Sequence, residues 1–144
     1  MELLQSDQIL IKNDLDALPQ VLLWFDQFNQ EPVPYTVWLQ SQLVLAEAFT
    51  NAVRHAHRGY SEEPRSEGPM IEMEVRVLQH QIELRIWDCG PESNLGDQIA
   101  NLSQEMDRNA ESGRGLKLMK KMADSLSYNR TSDQRNCLLF IKTF

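Results

Sequence analysis

Cysteine is nearly missing from this chain: Cys89 and Cys137 are the two present. They show no CxxC spacing and no companion histidine cluster, which argues against zinc and for a reducing, cytoplasmic setting without disulfides. Both fit the role of small buried residues. Basic charge is also short, with 14 Lys and Arg against 21 Asp and Glu, a net charge of −7 and a pI near 4.9. That balance disfavours direct nucleic-acid binding through phosphate neutralisation and points to proteins and small molecules as partners. No apolar run approaches the roughly 20 residues that span a bilayer, and the opening MELLQSDQIL has no basic n-region, so no membrane role is expected. What remains is one domain of 144 residues, large enough to fold without staples.

Periodicity sets out the elements. Ile9 and Ile11 alternate with Gln8 and Leu10 in a short edge strand over Asp7 to Lys12. Asn13 and Asp14 offer cap chemistry, and Leu15, Leu18, Leu22, Phe25 and Phe28 carry a first helix to Asn29. Pro32 and Pro34 end it. A second helix runs from about Tyr35 to Arg58, followed by a polar loop over residues 59 to 69. Ile71, Met73, Val75 and Val77, then Ile82, Leu84 and Ile86, alternate with charged residues and read as a hairpin covered on one face. Residues 92 to 111 are polar with a weak helical hint interrupted by Gly96, and a helix follows Gly115. Ser125 to Arg130 and Asn136 to Thr143 form a closing hairpin around a turn at Thr131 to Arg135.

Three features break these patterns. In the second helix, at about 100° per residue, Leu45, Ala46, Phe49, Val53 and Ala56 share one face, with Glu47, Asn51, Arg54 and His55 opposite. Leu43, Val44 and Ala48 flank Glu47, so a carboxylate and an amide one turn apart sit in an apolar collar and need partners. A solvated face or a Glu–Asn tie to a neighbouring element would explain them without a site. The period of two also puts Asp88 on the covered side of its strand, just where Cys89-Gly90-Pro91 ends it. This is either a strand-ending cap or a carboxylate at the floor of a cleft. Finally, Ser112-Gly113-Arg114-Gly115 opens a helix, where backbone N–H groups can approach a phosphate; a plain hinge has the same composition.

In this order and spacing the three features resemble the N box and the two glycine boxes of the GHKL (Bergerat-fold) ATP-binding superfamily, which takes in gyrase, a heat-shock chaperone and histidine kinases. The pattern E-A-x-T-N-A-x-x-H-A at Glu47 to Ala56 is most similar to the anti-sigma factor serine/threonine kinases of bacteria. The resemblance implies an α+β, two-layer sandwich, its mixed and mostly antiparallel sheet covered by helices on one face. It implies ATP and Mg²⁺ as ligands, with Asn51 on the metal and Glu47 as general base for the attacking hydroxyl, a role an apolar collar suits. His55 would lie near the phosphates, and Asp88 would accept the adenine amino group while Gly90 lets the base approach. Gly113, Arg114, Gly115 and Leu116 would complete the nucleotide-binding set, and residues 92 to 112 would be the lid. The partners implied are a sigma factor and an anti-anti-sigma protein of STAS type, with a homodimer expected.

Two departures stand out. Asp88-Cys89-Gly90-Pro91-Glu92 has a glutamate where the first glycine box has its second glycine. No helix pair with a phosphoacceptor histidine precedes the domain, which argues against a complete histidine kinase. The competing reading is a module that regulates a partner by sequestration without transferring phosphate, with or without a bound nucleotide.

Overall fold

The computed structural model describes residues 2–56, 70–92, 95–100 and 111–144. Five strands make one sheet: β1 (Leu3–Ile11), β2 (Ile71–Leu78), β3 (Gln81–Asp88), β4 (Ser125–Arg130) and β5 (Asn136–Thr143), in the spatial order β1-β2-β3-β5-β4. All four pairings are antiparallel, so the parallel component of the expected mixed sheet is not present among the described residues. The alternation seen in the sequence sets the register: Ile9 faces Met73, Val75 faces Leu84, and Leu84 faces Phe140. β1 lies at one edge, as expected, but starts four residues before Asp7 and carries a register shift between Leu3 and Gln5.

One face of the sheet is apolar and covered. Ile71, Met73, Val75, Ile82, Leu84 and Phe140 are essentially inaccessible there. The other face carries charge, with Arg85 between Glu74 and Glu83, and Arg135 bridging Glu72 and lying over the Trp87 ring. Cys137 is half-buried on this open face and Cys89 is exposed, so neither is the fully buried residue expected; neither forms a disulfide.

The helices are α1 (Leu18–Phe25), α2 (Tyr35–Asn51), α3 (Leu95–Ala100) and α4 (Glu111–Met122). The expected first helix is in fact three pieces, α1 between 3₁₀ turns at Leu15–Ala17 and Asp26–Phe28. Asp14 supplies the cap, accepting from the Asp16 N–H, while Asn13 is buried. Trp38 stacks on Phe25 at 5.8 Å and donates its indole N–H to the Phe25 carbonyl, which fixes α2 against α1. α2 then passes into a turn of π-helix over Ala52–Ala56. The rest of the second helix to Arg58, the 59–69 loop and residues 101–110 of the expected lid lie outside the described residues. No described helix is long and apolar enough to cross a membrane.

Gly96 sets how α3 packs. A Cβ there would sit 2.5 Å from the Tyr128 carbonyl oxygen, so only glycine lets α3 lie this close to β4. Lys120 of α4 donates to the Ile99 carbonyl at 2.7 Å and closes the C-terminal end of α3.

Candidate functional site

The buried stripe that runs along α2 into the π turn is Ser41, Val44, Leu45, Ala48, Phe49 and Ala52, turned from the face that the sequence marks towards Glu47 and Asn51. This rotation takes Glu47 and Asn51 off the solvent side. Both are half-buried on the flank of α2, where α4 packs. The point of closest approach is Gly115: a Cβ there would lie 2.7 Å from Glu47 Oε2 and 3.7 Å from Asn51 Nδ2. The first and third motifs, 60 and more residues apart in sequence, therefore meet at one place. The missing side chain of Gly115 makes the space that the Glu47 carboxylate occupies.

The remaining predicted residues divide by position. Gly113 and Arg114 fall within the first turn of α4, so the helix starts before the glycines rather than after them. Leu116 is buried in the core, 5 % exposed, and its side chain packs inward. His55 lies in the π turn that prolongs α2. For His55 and Arg114 only the backbone position is described.

Asp88 ends β3 on the covered side, as the period of two requires, and is 4 % exposed. A buried carboxylate needs donors, and this one has three. Its Oδ1 accepts from the Gly90 N–H at 2.9 Å and from Asn136 Nδ2 at 2.9 Å, while Oδ2 accepts from the Tyr128 hydroxyl at 2.7 Å. Asn136 also donates to the Gly90 and Pro91 carbonyls, and Arg130 donates to Gly90 O and to Asn136 Oδ1. The turn holding Gly90 is thereby tied to both strands of the C-terminal hairpin.

Tyr128, Arg130 and Asn136 were not legible as site residues. Their partners lie 40 to 48 positions away, and nothing in their local pattern marks them. Tyr128 and Asn136 also line a cavity of about 330 Å³ between α3 and the β4 edge, together with Glu92, Asp97 and Arg130. Glu92, the residue in the second-glycine position, is thus an exposed part of this lining.

Asn51 offers a hard amide oxygen beside the Glu47 carboxylate. Among the described residues no group of three His, Cys, Asp or Glu is placed to hold a metal. Mg²⁺ keeps waters and takes ligands from phosphate, so one or two protein oxygens such as Asn51 Oδ1 would be enough to hold it. A search of curated proteins finds no match to this chain. The family model described as "Histidine kinase-like ATPase domain" matches residues 11–142. With that match spanning nearly the whole sequence, and with a helix-backed antiparallel sheet whose helices α2 and α4 bring Glu47 and Asn51 to Gly115, the chain belongs to the histidine kinase-like ATPase domains.

Proposed function

We propose that this chain is a serine/threonine kinase of the anti-sigma type, which binds ATP with Mg²⁺ and phosphorylates an anti-anti-sigma partner of STAS type while sequestering a sigma factor. It would work in the cytoplasm as a homodimer. The observation that supports this reading best is the convergence of Glu47 and Asn51 on Gly115.

In this reading Asn51 Oδ1 holds Mg²⁺, which when bound neutralises charge on the ATP phosphates. The N–H groups opening α4 face the same charge. Glu47 takes the proton of the attacking serine or threonine hydroxyl at a carboxylate oxygen as the new P–O bond forms and the bond to ADP breaks. No covalent enzyme intermediate is needed, so positioning and electrostatics carry the reaction. Asp88 accepts the amino group of adenine at the other end of the site.

A second reading has its own support. Glu92 replaces a glycine, and both oxygens of Asp88 already have protein donors. Both facts favour a module that regulates by sequestration alone. Calorimetry of ATP with and without Mg²⁺ on wild type, Glu47→Ala and Asn51→Ala separates the two. The kinase reading expects wild type and Glu47→Ala to bind alike and Asn51→Ala to lose the Mg²⁺-dependent part of the affinity. No binding to wild type at millimolar ATP rejects the kinase, and binding without phosphate transfer leaves the sequestering module.

A further inference from the structure

α2 is uncharged on a side where a surface helix ordinarily carries charge. No Asp, Glu, Lys, Arg or His stands between Glu31 and Glu47, so Glu47 is the first charged residue of the helix. Burial accounts for one side of it only. Tyr35, Leu39 and Leu43 lie away from the core, at 60 %, 40 % and 41 % exposure. They stand four residues apart, one above another along the helix, and Glu47 is the next step of the same row. From Tyr35 to Glu47 the row runs about 18 Å at the rise of an α-helix. Single exposed leucines are ordinary, whereas an apolar row with no charge beside it marks a contact surface. Tyr35 is also held in place, stacked at 5.9 Å on a Trp38 ring that is itself stacked on Phe25. A rigid aromatic at the end of such a row is the usual form of an anchor.

We infer that the row of Tyr35, Leu39 and Leu43 is the docking face for the protein that carries the acceptor hydroxyl, whose matching surface is apolar and uncharged. The inference rests on the kinase reading and adds to it the surface of the substrate. Position is the first reason for this occupant. Glu47 takes a proton only from a hydroxyl within about 3 Å, and a hydroxyl on a folded protein brings its surroundings with it. Among the described residues α4 fills the flank of Glu47 at Gly115, and Leu43, one turn before Glu47, is exposed to meet an incoming surface. Size is the second reason. Three side chains exposed to this degree offer on the order of 300 Å², the scale of one functional patch on a monomer and well short of the roughly 800 Å² per partner that a stable dimer buries. A second copy held permanently needs more area, and a substrate that leaves after each transfer does not. Closure over Leu43 also drives water from beside Glu47, which disfavours hydrolysis of ATP in place of transfer.

The test is steady-state transfer of phosphate from ATP to a purified STAS-type protein, the acceptor proposed above, by wild type and by the double variant Leu39→Ala, Leu43→Ala. Both leucines lie outside the core and alanine is the better helix former, so melting temperature and Mg-ATP affinity should match wild type. KM for the acceptor protein should rise about tenfold or more from the apolar area lost, with kcat at saturating acceptor unchanged because nothing at Glu47 has moved. If the alanine pair does not fold, Leu39→Gln with Leu43→Gln is read in the same way. An unchanged KM, with or without a fall in kcat, overturns the inference while the kinase reading stands. A double variant that turns from dimer to monomer in sedimentation with its KM unmoved assigns the face to a second copy and overturns it equally. Absence of transfer by wild type overturns the kinase reading and the inference with it.

Discussion

Placing a methyl group on Gly115 puts a carbon 2.7 Å from Glu47 Oε2, well inside the 3.4 Å at which ordinary contact begins. Something must yield, and the cheapest part is the end of the Glu47 side chain, which can swing away by leaving its preferred rotamer at a cost of about 0.5–1.5 kcal/mol. Against this, alanine is favoured over glycine inside a helix by roughly 1 kcal/mol. The two nearly cancel, so Gly115→Ala should melt within a few degrees of wild type. Function has no such compensation. If Glu47 is the general base, moving its carboxylate by about an ångström should cost on the order of 100-fold in turnover. Asn51 Nδ2 lies at 3.7 Å, in ordinary contact, so the proposed metal ligand stays in place and Mg-ATP affinity should hold. The assay is single-turnover transfer of the ATP γ-phosphate to the proposed STAS-type partner, beside calorimetry for binding. Glu47→Gln should show the same loss, and the double variant should add little, because both changes remove one function. A Gly115→Ala protein with wild-type turnover would refute the argument.

Three further outcomes follow from the packing and the polar contacts. Phe140→Ala removes a ring that is 0 % exposed and faces Leu84 in register, and should cost about 3–5 kcal/mol by urea denaturation with the fold retained. The N–H groups of Gln27, Trp24 and Gln8 hold the Asp7 carboxyl below its ordinary range. A lowered folded pKa gives stability that is present above the unfolded value and lost as pH falls through the folded one. Wild type should therefore exceed Asp7→Asn by less than about 1 kcal/mol near pH 5, with the two converging in acid titrations of stability. Burial pushes the Cys137 thiol up to about 11, while Cys89 is raised by a smaller degree of burial and is exposed. Iodoacetamide at pH 8 should alkylate Cys89 first, read by peptide mass mapping.

Legibility tracked the range of the interaction. The 71–88 hairpin was readable because each residue's face is fixed by its neighbours two positions away, and that same rule placed Asp88 inside. The C-terminal strands were bounded correctly by the turn residues between them. Leu3 to Ser6 show no alternation, and their pairing comes from β2, 70 to 75 residues on. The second helix was visible, but its buried stripe is centred between the two faces that a regular wheel separates. The partner helix α4 decides that, and no local pattern contains it. Glu47, Asn51 and Gly115 could be named from the sequence, yet their contact could not. Tyr128 and Asn136 carried no signal, since a tyrosine and an asparagine in an edge hairpin are ordinary until the strand order brings them to Asp88.

The strand order also sets a timetable for synthesis. β5 lies between β3 and β4, although it is made after both. While the chain grows, β3 has a neighbour on one side only, and β4 has none. The gap closes when β5 enters it, with Asp124 gripping Thr143 through both its N–H and its hydroxyl at the far end. Asn136 arrives in the same step and reaches Asp88 across the newly formed ladder. Until then the carboxylate lacks the partner that orients it. A nascent chain stalled before β5 should thus expose an open sheet edge to chaperones and leave Asp88 without its ordered surroundings, so closing the sheet and setting this carboxylate become a single event.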